Sequence, residues 1–156
     1  MTYFCKKKMK KQFLKILHSI TSIILGLFFI NKGYSKFVSD KLKPVELDQI
    51  INIIIENNSY EAPVGYNIVM NTFKHSGFLD MISIIQILSG LLIIIPITRL
   101  IGLLLLLPII FNIFFMHVFF DNRVHENIET GILLTINIIL VIYYKRKLLS
   151  LFLSSE

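Results

Sequence analysis

The stretch that decides the fold is residues 81–120, MISIIQILSGLLIIIPITRLIGLLLLLPIIFNIFFMHVFF, where Arg99 is the only Lys, Arg, Asp or Glu. It holds most of one apolar block at residues 80–97 and all of a second at residues 100–120, separated by Thr98 and Arg99. Each block approaches the ~20 residues that a helix needs to cross a hydrocarbon core of ~30 Å. The stretch therefore predicts an antiparallel helical hairpin inside a membrane.

The overall composition agrees with a membrane protein. The chain has 156 residues, of which 54% are hydrophobic and 17% are charged, against roughly 45–50% and ~25% in soluble domains. The net charge of +6 comes from lysines that lie beside apolar blocks. These lysines form no basic face interleaved with aromatic residues, so no nucleic-acid partner is expected. The single cysteine, Cys5, excludes an intrachain disulfide and the paired cysteines of quinone-linked thiol oxidases.

Two further apolar blocks, at residues 13–31 and 128–144, complete four predicted crossings in a single membrane domain, residues 1–156. The expected fold is an all-α four-helix bundle. The basic start and the first block also resemble a signal peptide, but the block is long for one, which favours an uncleaved helix. Four crossings put both termini on one side, with ten basic residues there and six on the other. The positive-inside rule then predicts cytoplasmic termini and a multi-pass inner-membrane protein.

The long first outer connection contains a predicted amphipathic segment at residues 45–57. Leu47, Ile50, Ile51 and Ile54 share one helical face, and polar residues occupy the opposite face. We expect this segment to lie on the outer membrane surface or to cap the bundle. Pro63 and Gly65 predict a turn before the run into the second crossing.

The stretches GLFFINKGYSKF (residues 26–37) and IIQILSGLLIIIPITRL (residues 84–100) resemble the DoxX family of small four-helix membrane proteins. The matching positions are Gly33 and Lys36 at the end of the first crossing, then Gly90-Leu-Leu, then Thr98-Arg99. Two positions depart from the family pattern: Gln86 replaces a frequent acidic residue, and Pro96 replaces a usual glycine. The resemblance implies a link to membrane redox assemblies, including thiosulfate:quinone oxidoreduction, and hence quinone as a ligand.

Three charged or titratable residues are predicted to meet near the outer interface. Asp80 and His117 are each about 18 residues from the Thr98-Arg99 turn, so they share a depth of about 27 Å. Lys36 leaves the first crossing on the same side. One interpretation is an interfacial salt-bridge cluster. The other is a site for a quinone-like carbonyl or a small anion, in which Lys36 and His117 donate and Asp80 orients His117.

Other intramembrane residues receive structural interpretations. Gln86 and Asn112 lie at similar depths and are predicted to hydrogen-bond across the hairpin, as helix contacts or as the lining of a polar path. His18 and His117 differ in depth by roughly 18 Å, which excludes a shared haem, and no structural metal is expected. Small residues are predicted to pack helices closely. They are Ser19, Ser22, Gly26, Gly33 and Gly90.

The sequence is consistent with three functions. The first is a subunit or accessory of a quinone-linked membrane redox assembly, working with a membrane or peripheral redox protein or as a homo-oligomer. The second is a non-catalytic membrane scaffold or assembly partner. The third, a carrier of protons or small molecules, is disfavoured because the crossings lack a buried charged relay. The lipid bilayer is a partner in all three.

Overall fold

The computed structural model describes residues 2–38 and 64–153, and within these ranges the chain is helical, with short turns and no strand. The predicted all-α class is therefore confirmed. The amphipathic segment predicted at residues 45–57 lies outside the described residues. The elements are α1 (Thr2–Val38), α2 (Val64–His75), α3 (Phe78–Ile94), α4 (Arg99–Met116), a π-helical turn (His117–Asp121), α5 (Val124–Ile142) and α6 (Lys145–Leu153).

Several of these helices can cross a membrane by length and composition. Three segments qualify alone: Met9–Val38, Arg99–Asp121 and Val124–Ile142. The pair Gly65–His75 and Phe78–Ile94 qualifies together, although it is bent by 83° at a short break. The described chain thus has three candidate spans, or four if the bent pair is one broken span, which supports a membrane protein.

The break between α2 and α3 lies at Gly77, which has a φ of 76°, a left-handed conformation that glycine adopts without steric cost. The amide of Gly77 donates to the carbonyl of Lys74 at 3.2 Å, which closes the end of α2. The sequence interpretation placed a turn at Pro63 and Gly65 instead. Pro63 lies outside the described residues; the prediction is wrong for Gly65, because Gly65 lies in the first turn of α2 and the chain turns twelve residues later.

The turn between α3 and α4 is held by the two residues that separate the apolar blocks. Helix α3 ends at Ile94, three residues before the predicted end of the crossing, because Pro96 cannot continue a helix. Oγ1 of Thr98 donates to the carbonyl of Leu92 at 3.0 Å, and Nε of Arg99 donates to the carbonyl of Ile93 at 2.9 Å. These bonds satisfy carbonyls that the helix end leaves without partners.

Helices α1 and α3 run antiparallel with their backbones in contact. A Cβ atom at Gly26 would lie 2.8 Å from the carbonyl oxygen of Gly90, and one at Gly90 would lie 2.6 Å from that of Gly26. A Cβ atom at Gly33 would lie 2.8 Å from the carbonyl oxygen of Ser83. Only glycine fits at these three positions, and all three were among the small residues predicted to pack helices.

The hydrophobic core joins α1, α3, α4 and α5. Its members are Leu25, Phe29, Ile93, Leu103, Leu106, Ile110 and Leu140. Helix α2 packs against α3 and the π-helical turn. Many other large apolar side chains are exposed, such as Ile24 and Ile101, as expected where lipid covers the surface.

The two ends of the bundle differ in their charged residues: one combines carboxylates with cations such as Lys32 and Arg123, and the other holds cations alone among the described residues. At the acidic end, α1 and α4 finish and α3 and α5 begin. All four carboxylates within residues 2–38 and 64–153 belong to this end, namely Asp80, Asp121, Glu126 and Glu129. The basic end comprises the first half of α1, the α3–α4 turn and the α5–α6 junction, and it holds no acidic residue among those described.

Candidate functional site

A cavity of about 180 Å³ opens at the acidic end of the bundle. It lies between α1, α4 and α5, and α2 and α3 each contribute a residue. Aromatic and aliphatic side chains form part of its lining, and charged or polar side chains form the rest. The polar lining consists of Lys32, Lys36, Tyr66, Gln86, His117, Arg123, Glu126, Glu129 and Thr130.

The π-helical turn brings His117 into this cavity and fixes its ring. Nδ1 of His117 donates a hydrogen bond to Oδ2 of Asp121 at 2.8 Å, and both residues are buried. The turn ends at Asn122, which has a φ of 51° and donates its amide to the carbonyl of His117 at 2.7 Å. Asparagine tolerates this left-handed conformation better than most residues. Wide turns of this kind inside helices occur frequently at functional sites.

Asp121 also holds Arg123. Nε and Nη2 of Arg123 donate to the two carboxylate oxygens of Asp121 at 2.6 and 2.9 Å, and Nη2 also lies 3.8 Å from Glu126. The hydrogen bond to Asp121 raises the pKa of the Arg123 guanidinium. Because Asp121 serves both His117 and Arg123, its negative charge is matched within the site.

Lys32 and Lys36 lie one helical turn apart on α1 and differ in their partners. Nζ of Lys32 forms an ion pair with Glu129 at 3.3 Å. Lys36 lines the cavity and has no acidic partner within the described ranges. Tyr66 from α2 packs its ring against His117, with 5.1 Å between the ring centres. The cavity therefore combines an unpaired ammonium group with an oriented imidazole.

Gln86 adds a buried amide to the same cavity. It is 0% exposed, and neither its Nε2 nor its Oε1 has a hydrogen-bond partner in the described part of the chain. The predicted bond from Gln86 to Asn112 is wrong, because Asn112 is exposed and its Nδ2 donates to the carbonyl of Pro108 at 2.8 Å. Counting residues from the turn predicts depth, but Gln86 and Asn112 point in different directions around their helices.

The predicted grouping of Lys36, Asp80 and His117 is only partly present. Lys36 and His117 line one cavity, whereas Asp80 pairs with Nζ of Lys74 at 3.3 Å and does not orient His117. The residue that orients His117 is Asp121, which sequence reasoning missed. The i, i+4 spacing of the two residues on one helix was the signal that could have identified it.

The remaining predicted residues have structural contacts. Ser22 is fully buried and donates to the carbonyl of His18 at 2.7 Å, and Oγ of Ser19 accepts from Arg99 at 3.4 Å. His18 stacks on Tyr143 at the basic end, so it lies at the opposite end from His117. Within residues 2–38 and 64–153, no group of three His, Cys, Asp or Glu side chains is close enough to hold a metal.

A further buried amide also escaped prediction. Asn137 on α5 is 0% exposed, and its Oδ1 and Nδ2 have no partner in the described ranges. It lies two helical turns beyond Thr130, which lines the cavity. Buried amides without partners are rare and call for a physical reason such as a bound molecule.

The resemblance to the DoxX family stays a prediction after comparison with known proteins. No protein-family model matches the chain, and no curated protein or solved structure is significantly similar to it.

Proposed function

We propose that this chain is a DoxX-like membrane subunit or accessory of a quinone-linked redox assembly, and that its acidic-end cavity binds the quinone head. The observation that carries the proposal is the pairing of two features in one cavity. Lys36 has no acidic partner among the described residues, and Gln86 is fully buried with both amide atoms unpaired. The unpaired Gln86 amide is costly without a ligand, because buried polar groups normally have partners, and the half-buried Lys36 adds a positive charge to the same cavity.

The lining suits a ring that carries carbonyl oxygens. The ammonium group of Lys36 and Nε2 of Gln86 are donors for the carbonyls of the oxidised ring. With Nδ1 of His117 held by Asp121, its Nε2 is free to exchange a hydrogen bond or a proton with the ligand. Oε1 of Gln86 can accept from a hydroxyl of the reduced ring, so one amide serves both redox states.

The size and the apolar lining also support a quinone head. A cavity of about 180 Å³ is smaller than the ~300–1,000 Å³ of pockets for whole drug-sized ligands. It therefore suits a ring whose isoprenoid tail continues between helices or into lipid. Phe28, Phe29 and Ile113 offer flat and aliphatic surfaces for that ring.

The proposal includes an arrangement in the membrane. If α2 and α3 form one broken span, the described helices give a four-crossing bundle with both ends of the chain on the same side. The basic end, which holds Lys145, Arg146 and Lys147 and the lysines of the first half of α1, then faces the cytoplasm. The cavity opens toward the outer face of an inner membrane, where a membrane or peripheral redox partner or a second copy can reach it.

The test is direct binding of a short-chain quinone to the purified full chain in neutral detergent. We expect Lys36→Ala and His117→Ala to weaken binding about tenfold or more, since a hydrogen bond from a charged group contributes ~1.5–3 kcal/mol. Lys74→Gln is the matched control, because Lys74 pairs with Asp80 and does not line this cavity. Equal affinity in all four proteins would reject the quinone site and favour the scaffold function.

A further inference from the structure

We propose that the basic end binds an anionic phospholipid, with an acyl chain in an apolar groove between α1 and α5 and the phosphate among the surrounding cations. This site lies at the opposite end of the bundle from the acidic-end cavity. It is independent of the quinone proposal, and it gives the chain a second, structural ligand.

The groove has the lining that an acyl chain needs. Its volume is about 240 Å³, and Leu14, Leu17, Ile136 and Ile139 supply most of its aliphatic surface. Leu14 and Leu17 are each 48% exposed and Ile139 is 60% exposed, so no described element covers them. Burying this surface against a hydrocarbon chain fills the groove without placing a polar group in it.

The rings of His18 and Tyr143 lie at the end of the groove where a bound lipid would pass from its acyl chain to its headgroup. His18 is buried, stacks on Tyr143 at 4.1 Å between ring centres, and has its Nε2 3.4 Å from the carbonyl of Leu140. Tyr143 is 46% exposed. Tyrosine side chains favour the membrane interface, where an apolar ring and a polar hydroxyl are both accommodated.

Six exposed cations lie close in sequence to the groove residues, on α1 and at the α5–α6 junction, and supply the complementary charge. Lys11 lies one helical turn before Leu14 on α1, and Lys145 follows Tyr143 by two residues. None of the six forms an ion pair within residues 2–38 and 64–153, where every carboxylate lies at the acidic end. The six are Lys10, Lys11, Lys15, Lys145, Arg146 and Lys147.

The combination of groove and charge selects the occupant. A free phosphate ion would use the cations and leave the apolar groove empty, and a neutral lipid would do the reverse. A second copy docked symmetrically here would place two basic ends against each other. Repulsion between their like charges would oppose this contact. An anionic phospholipid uses both features, as basic pockets between membrane helices commonly do.

The absence of tryptophan from the chain allows a single fluorescent reporter. We would introduce Tyr143→Trp into the full chain, reconstitute it in phosphatidylcholine bilayers, and titrate brominated phosphatidylglycerol or brominated phosphatidylcholine as quencher. We expect phosphatidylglycerol to bind at the reporter at least threefold more tightly, since one Lys or Arg near an anionic surface contributes roughly a fivefold factor. Ile101→Trp is the control reporter, because Ile101 is 60% exposed near the same end of α4, away from the groove.

Charge variants complete the test. In the Tyr143→Trp background, the triple variant Lys11→Gln, Lys145→Gln, Lys147→Gln should lower the affinity ratio of phosphatidylglycerol to phosphatidylcholine to near one. Lys74→Gln at the acidic end should leave this ratio unchanged. A ratio of one for Tyr143→Trp itself would overturn the proposal. An equal preference at Ile101→Trp would also overturn it, because that result indicates general attraction to a basic surface.

Two other outcomes identify different occupants and would likewise reject the lipid site. Weak quenching of Tyr143→Trp by both lipids would mean that protein fills the groove, as in a dimer. Loss of the preference when inorganic phosphate replaces chloride at equal ionic strength would mean that the cations bind a free anion. We expect strong quenching and no specific effect of phosphate.

Discussion

Nδ1 of His117 and Oδ2 of Asp121 are 2.8 Å apart, and the Asp121 side chain is 0% exposed. The same carboxylate accepts two hydrogen bonds from Arg123. One buried acid therefore fixes the cavity histidine and ties the π-helical turn to the start of α5. Among the described carboxylates, Asp121 is the one that contacts both His117 and Arg123.

Replacing Asp121 should be much more damaging than replacing Asp80. Asp121→Asn keeps the shape but removes the charge shared by His117 and Arg123, and we expect a loss of about 1–3 kcal/mol in the free energy of unfolding. Asp80→Asn should cost about 0–1 kcal/mol, because its pair with Lys74 is partly exposed. Denaturation of both variants in detergent micelles measures the difference, and equal losses would contradict the role assigned to Asp121.

Replacing the unpaired buried amides by leucine should stabilise the protein. Gln86→Leu and Asn137→Leu each remove a buried polar group that has no partner among the described residues and whose desolvation costs about 1–3 kcal/mol. Gln86→Leu should at the same time weaken quinone binding, whereas Asn137→Leu should not, because Asn137 does not line the cavity. Asn112→Leu is the exposed control for thermal stability. A destabilised Gln86→Leu variant with unchanged binding would show that the amide is structural.

Adding a methyl group between α1 and α3 should separate the helices. Gly26→Ala and Gly90→Ala place Cβ within 2.8 Å of a backbone carbonyl, which cannot move like a side-chain tip, and overpacking of this kind costs about 1–3 kcal/mol. In Gly131→Ala the new Cβ would meet only the Phe114 ring, at 3.2 Å. That variant should be neutral or slightly stabilised, since alanine favours helix. Unfolding in micelles is the measurement, and equal effects at all three positions would refute the close contact.

Membrane orientation can be tested with single thiols in a Cys5→Ser background. Val124→Cys is at the acidic end, where Val124 is 72% exposed, and Lys147→Cys is at the basic end. We expect an impermeant maleimide to label Val124→Cys in intact cells and to label Lys147→Cys only after permeabilisation. The reverse pattern would place the termini outside and would move the proposed cavity to the cytoplasmic face.

The main helices were predictable because each contains an uncharged apolar block, and a backbone in lipid must satisfy its own hydrogen bonds. Helix α2 was not predicted, because VGYNIVMNTFKH mixes apolar and polar residues and its Gly65 resembles a turn signal. The hydropathy pattern therefore identifies spans and misses a short helix that packs across their end.

The cavity was predictable only in part, for a geometric reason. Sequence counting from the Thr98-Arg99 turn gives the depth of a residue and brought His117 to the end where the cavity lies, and the end of the first crossing brought Lys36 there. It does not give the direction around the helix axis, so it paired Gln86 with Asn112 and His117 with Asp80. The i, i+4 relation of His117 and Asp121 needs only one helix, and it was available from the sequence alone.

The glycine contacts of α1 and α3 also determine how the cavity can open. Gly26 contacts Gly90 and Gly33 contacts Ser83. The second contact lies seven residues further along α1 and seven residues back along the antiparallel α3. A slide of one turn would place Ile30 or another large residue against a backbone, and the two helices therefore form a rigid spine. Helix α2 joins α3 through the break at Gly77 and contributes only Tyr66 to the cavity lining, so we expect a ligand to enter beside α2 while the spine keeps its shape.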